Sequence, residues 1–206
     1  FARNGGAGRI AFENDNALFA NAFDTGYNGF KSNEIFKDGS RWYHIVYQGD
    51  STNGTASARN RVWVDGVELE NSYSSSLTPA DSVTNILKNG QTTRVGNDED
   101  NSAYYFDGYM ADMHVIDGAL YAPTYFGQTD PSTEKWIPKT VTGVTYGNNG
   151  FHLEFLNNTI GADSAGSNDF TPVNLGTANT VIDTPTKNFM TLGGRKGTVT
   201  MSEGNL

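Results

Sequence analysis

Residues 41–50 read RWYHIVYQGD and residues 61–66 read RVWVDG. In the first run Ile45 and Tyr47 share one side of an extended chain, while His44, Val46 and Gln48 share the other, because side chains along a strand alternate between faces. In the second run Val62 and Val64 oppose Trp63, and Asp65-Gly66 follows at once. An Asp-Gly pair between alternating segments is a hairpin signal, since glycine takes positive φ without steric cost. The two runs therefore predict neighbouring antiparallel strands ending in a tight turn.

The same period recurs further along. YFDGYMADMHVIDG (105–118) sets Tyr109, Ala111, Met113 and Val115 against Met110, Asp112, His114 and Ile116, and predicts a long strand closed by Asp117-Gly118. FHLEF (151–155) directs Phe151, Leu153 and Phe155 inward, with His152 and Glu154 outward. Helical periodicity is nearly absent: ALYAPTYFGQ (119–128) has room for one turn, limited by Pro123 and Gly127. The expected fold is all-β, an antiparallel sandwich whose sheet edges are covered by loops, bulges or partners. Residues 1–128 form the sandwich. Residues 129–206 form a connector, one strand and an extended, loop-rich tail in which FHLEF and GADSAGSNDF resemble the opening of a following module.

The chain has 206 residues, of which 36% are hydrophobic, so the core must be small and much of the chain must be loop. Its 24 glycines, with abundant Asn, Ser, Thr and Asp, fit short strands joined by polar turns. The net charge of −9 argues against nucleic acid, whose phosphates require a basic stripe. It is compatible with neutral sugars or divalent cations. With no cysteine, neither disulfides nor thiolate metal sites exist. No apolar run reaches membrane-spanning length, so no membrane insertion is expected. The sequence opens on Phe1 rather than Met, which points to a processed product or a piece of a longer polypeptide.

The order IFKDGSRWYHIVYQGD, RVWVDGVEL, TRVGN, YYFDGYMADMHVIDGAL resembles the concanavalin A-like jelly roll of the laminin-G/pentraxin type. GALYAPTYFGQTDPSTEKWIPK, YGNNGFHLEF, GADSAGSNDF and DTPTKNF are similar to a module of virion proteins, often tail fibres, of marine tailed bacteriophages. The resemblance covers roughly residues 9–192 and rests on motif order. Family members usually carry one or two more strands before the position of Phe1; here GRIAF (8–12) stands in their place. An edge left open in this way would be filled by another subunit or by FHLEF. The resemblance implies a non-enzymatic structural protein in an exposed virion appendage, such as a tail fibre, that binds host surface polysaccharide. Its partners would be other virion proteins and copies of itself, with a trimer expected by analogy with phage fibres. The rivals are a capsid or neck assembly module, a glycan-cleaving enzyme, and a secreted lectin domain.

Tyr104, Tyr105 and Tyr121 lie near loops and are the candidate sugar-stacking residues; Trp42 and Trp63 sit inside regular strands and read as packing residues. Trp136 is expected to pin the connector to the sandwich. NDEDN (97–101) gathers Asp98, Glu99, Asp100 and Asn101 in one loop, an oxygen-rich set suited to Ca²⁺, which takes about six to eight oxygens. ADSAGSND (162–169), with Asp163, Asn168 and Asp169, is the second calcium candidate, and Asx turns account for it equally well. His44, His114 and His152 share no HxH or HExxH spacing, which gives zinc little support. A glycosidase needs two carboxylates flanking the scissile bond. Glu13 and Asp15 in ENDNAL come closest, but Leu18 occupies the position of the third acid, and no GxSxG elbow exists. No catalytic residue is expected.

Overall fold

The computed structural model describes residues 2–3, 8–23, 29–72, 86–87, 92–97, 105–156, 158–181 and 184–186. Among these, strands in small antiparallel sheets dominate, and the only helical elements are three short 3-10 turns. The predicted strands at 41–50 and 61–66 are present: β5 (Ile45–Gly49) pairs antiparallel with β6 (Asn60–Val64), which turns into β7 (Val67–Glu68). Asp65 and Gly66 both have positive φ, 51° and 79°, the two-residue turn whose twist matches the flanking strands. Asp65 also accepts the His44 N–H at 2.9 Å and pairs with Arg41, so one side chain braces the turn against the start of β5.

A five-stranded sheet joins four strands from ahead of this hairpin to one from after it. Its order is β4 (Phe30–Ile35), β3 (Ala17–Asn21), β2 (Arg9–Phe12), β1 (Ala2–Arg3) and β8 (Thr93–Arg94). Every residue of β3 is buried, so ALFAN shows no inside-outside alternation. Leu18, Ala20 and Phe30 of this sheet meet Val62 and Val64 of β6 in one cluster, with Ile10, Ile45, Tyr47 and Leu69 packed around it. The face predicted for Ile45 and Tyr47 is thus the core face. The Tyr47 hydroxyl stitches the sheets together: it accepts the Ala22 N–H at 3.1 Å and bonds Asn60 Oδ1 at 2.7 Å. The β4 edge is covered by the chain after β7, where Asn71 Oδ1 accepts the Lys31 N–H and Asn71 Nδ2 donates to Gly29 O. Covering an edge in this way removes an open template for pairing with other chains.

The strand expected over 105–118 is much shorter. Only β9 (Met113–Val115) forms; Asp112 takes a left-handed backbone (φ 54°), which a continuous strand cannot contain. Residues 127–138 are a hairpin rather than a plain connector: β10 (Gly127–Thr129) pairs with β11 (Trp136–Pro138). Trp136 does pin this segment. Its ring lies so close to Gly66 and Gly127 that a Cβ on either would fall 2.4 Å from it, and His44 packs 5.8 Å from its centroid. Gln48, on the same outer face of β5, donates to Tyr121 O at 2.6 Å. The second face of the hairpin sheet is therefore covered by residues 121–136. The helical turn expected within 119–128 is the 3-10 turn Pro123–Tyr125. β12 (Phe151–Leu153) pairs antiparallel with β9, with Phe151 and Leu153 buried as expected. Phe155 is only half-buried, and its positive φ of 54° falls beyond the end of the strand. No helix among the described residues is long and apolar enough to cross a membrane.

Candidate functional site

The β9–β12 register sets His114 directly opposite His152. Alternation sends Phe151 and Leu153 into the interior, where Phe151 packs edge-on against Phe170, and leaves both imidazoles on the other face. The rings stack with centroids 3.9 Å apart and planes 20° apart. Asp112 joins them from the position just before β9, where its backbone is left-handed. Its Oδ1 lies 2.6 Å from His152 Nε2 and 3.4 Å from His114 Nε2. The two imidazoles, His114 foremost, hold the Asp112 carboxyl down at about 2 against a partial burial that raises it. By distance, His152 makes the hydrogen bond, and the 3.4 Å to His114 is an ion-pair separation.

The far nitrogen of each ring is held by a hydroxyl. His114 Nδ1 lies 2.7 Å from Tyr146 Oη, and His152 Nδ1 lies 2.8 Å from Ser164 Oγ. The Ser164 hydroxyl donates to His152 O at 3.2 Å. Tyr146 is positioned by its carbonyl, which accepts the Asp117 N–H at 2.9 Å. Burial, and then the charges of Asp112 and Asp163, push its phenol above the usual range. The His114 side chain is only 9% exposed, and its Nε2 is buried without a hydrogen-bond partner. This group of three, with ligand atoms all within 4.8 Å of one another, can hold a cation between two imidazoles and a carboxylate.

The loop that carries Ser164 is built on Asp163. This buried carboxylate accepts backbone N–H groups from His152 and Ala165 on Oδ1, both at 2.9 Å, and from Asn168 on Oδ2 at 3.0 Å. Burial raises its pKa, but these hydrogen bonds overcome that and leave it below the ordinary aspartate value. Asp169 Oδ1 in turn accepts the Asp163 N–H at 2.9 Å. Of the proposed calcium ligands, Asp163 makes an Asx turn with the Ala165 N–H, the alternative given for this loop, and Asp169 Oδ1 holds the Asp163 N–H across the loop. Asp98, Asp100 and Asn101 lie outside the described residues.

Of the proposed sugar-stacking residues, Tyr104 also lies outside the described residues. Tyr105 bridges to Asn97 and is 67% exposed. Tyr121 stacks edge-on with Tyr125, and its hydroxyl accepts the Thr145 N–H at 2.9 Å, so it anchors the 141–145 chain as well as offering a ring. Trp63 is buried, with Arg61 over its ring, and Trp42 is half-buried. Glu13 and Asp15 sit in the β2–β3 turn instead of along a strand; each ends in an ion pair, with Arg9 and Lys31 respectively, at 2.6 Å. His44 is packed beside Trp136, and burial lowers its pKa. His114 and His152, which share no metal-ligand spacing in the sequence, are the residues that come together. The available signal was local: MHV and FHL each place a histidine between two apolar residues, the pattern of two strands able to pair. The chain matches no family model, no curated protein sequence and no solved structure.

Proposed function

We propose that the chain is a non-enzymatic structural module of a tailed-phage virion, part of a tail fibre or another exposed appendage, that binds carbohydrate on the host surface. The jelly-roll arrangement, with β2–β4 and β5–β7 as facing layers around Leu18, Phe30 and Val62, belongs to the same proposal. One observation carries the binding role: Tyr105, Phe106, Tyr109 and Tyr125 remain 67%, 42%, 61% and 41% exposed. Aromatic rings left in water are costly to display and suit the apolar faces of sugar rings. Trp136, Gln48 and Asp117 tie residues 117–149, the segment that carries Tyr125, to the sheets and to one another. Each shallow site binds weakly, and repeated copies in an appendage raise avidity. The engagement of Glu13 and Asp15 in ion pairs supports the non-catalytic reading.

The test is binding of the purified chain to surface polysaccharide from candidate hosts, by biolayer interferometry. Tyr105→Ala combined with Tyr109→Ala is expected to weaken binding at least about tenfold, equivalent to ~1.4 kcal/mol, with an unchanged circular dichroism spectrum. Full binding by the double variant, or no binding to any polysaccharide, rejects the sugar-binding role. The assembly reading, in which the module only packs against virion neighbours, has its own observation: Ile35 and Val67, at the ends of β4 and β7, are 56% and 66% exposed.

A further inference from the structure

We propose that Asp112, His114 and His152 bind a divalent transition-metal cation of the zinc type, which staples β12 to β9. This does not depend on the virion reading. The Ser164 hydroxyl holds the far ring nitrogen of His152, with Oγ 2.8 Å from Nδ1 and 3.2 Å from His152 O. With that nitrogen held, His152 Nε2 faces the Asp112 carboxylate at 2.6 Å, a donor set that can receive a cation in place of the shared proton.

The second imidazole supplies an independent observation. His114 Nε2 is buried, has no hydrogen-bond partner, and lies 3.4 Å from the same carboxylate oxygen. A buried polar atom left without a partner is costly, and coordination would remove that cost. The surrounding hydroxyls complete the pattern. Ligating histidines are usually held through the far ring nitrogen, which fixes the ring and frees the near nitrogen for metal. Tyr146 and Ser164 occupy those positions. Two imidazoles and one carboxylate favour borderline cations such as Zn²⁺ over the hard ions Ca²⁺ and Mg²⁺, which select oxygen.

Tetrahedral zinc ligands about 2.0–2.1 Å from the ion stand roughly 3.3 Å from one another. Asp112 Oδ1 and His114 Nε2, 3.4 Å apart, already meet this spacing, while the 2.6 Å contact to His152 must open. The half-exposed Asp112 side chain, just outside β9, is the part that would shift. Cross-strand histidines sit 38 positions apart in sequence, so the ion would close a long loop through a two-strand pair of three residues each.

The test uses the full chain, dialysed against chelator and titrated with ZnCl₂ alone by calorimetry. One Zn²⁺ per chain is expected. Saturating metal should raise the melting temperature by about 5–10 °C. Asp112→Asn and His152→Gln should each weaken binding at least about a hundredfold while retaining the metal-free circular dichroism spectrum. Ser164→Ala, which keeps all three ligands, should weaken it by roughly 10–100-fold. Co²⁺ bound to the unaltered chain should give a visible d–d band, a readout that needs no variant to fold. No saturable Zn²⁺ binding, equal binding by the Asp112 and His152 variants, or effective competition by Ca²⁺ overturns the proposal.

Discussion

Replacing Phe30 by alanine is expected to lower the free energy of unfolding by about 3–5 kcal/mol. Phe30 is 1% exposed and sits where β4 meets β6, against Leu18, Ala20, Val62 and Val64. Truncation removes its transfer free energy and leaves a cavity that two hydrogen-bonded sheets cannot close. Urea unfolding followed by the fluorescence of buried Trp63 checks this, with the midpoint falling and the slope unchanged. Ile35→Ala is the internal contrast. Ile35 ends the same strand but is 56% exposed, so its loss should stay within about 0.5 kcal/mol. Similar losses at the two positions would mean that the β4–β6 contact is not the core.

Asp163→Ala is expected to cost roughly 3 kcal/mol, because it strips a charged acceptor from several backbone donors at once. The His152, Ala165 and Asn168 N–H groups all terminate on this carboxylate, and removal leaves them without it in a loop already closed around the site. Asp163→Asn should recover only part of the loss, since one oxygen becomes a donor facing donors. The pH dependence has a definite sign. The folded-state pKa is depressed, so the contribution is complete above the ordinary aspartate value of about 3.9 and disappears as pH falls through the lower folded value. The stability gap between the native chain and the alanine variant should therefore shrink on acidification. Chemical unfolding at a series of pH values reads it directly; a gap that widens toward low pH would contradict the assignment.

The hairpin at 45–68 was legible because three local signals agree there: alternation, β-branched and aromatic residues, and Asp-Gly. β3 was not. ALFAN is buried on both faces, so it lacks the period that marks a half-buried strand, and its neighbours Glu13 and Asp15 drew attention as acids instead of turn residues. The opposite error occurred at 105–112, where alternation persists but the left-handed backbone at Asp112 stops the strand. Trp136 does pin its segment, as its place in KWIPK suggested, but its seat on Gly66 is made by tertiary packing and has no local signal in the sequence. The His114–His152 pair was hidden for a physical reason. Metal-ligand spacing rules describe one helix or one turn, whereas this pair is made by the register of two strands.

A density map of an intact particle containing this chain tests the account most directly. The virion reading predicts that the chain lies in an exposed appendage, with Tyr105, Tyr109 and Tyr125 facing solvent or a bound glycan. Density in which those rings are buried against capsid or neck proteins would contradict it.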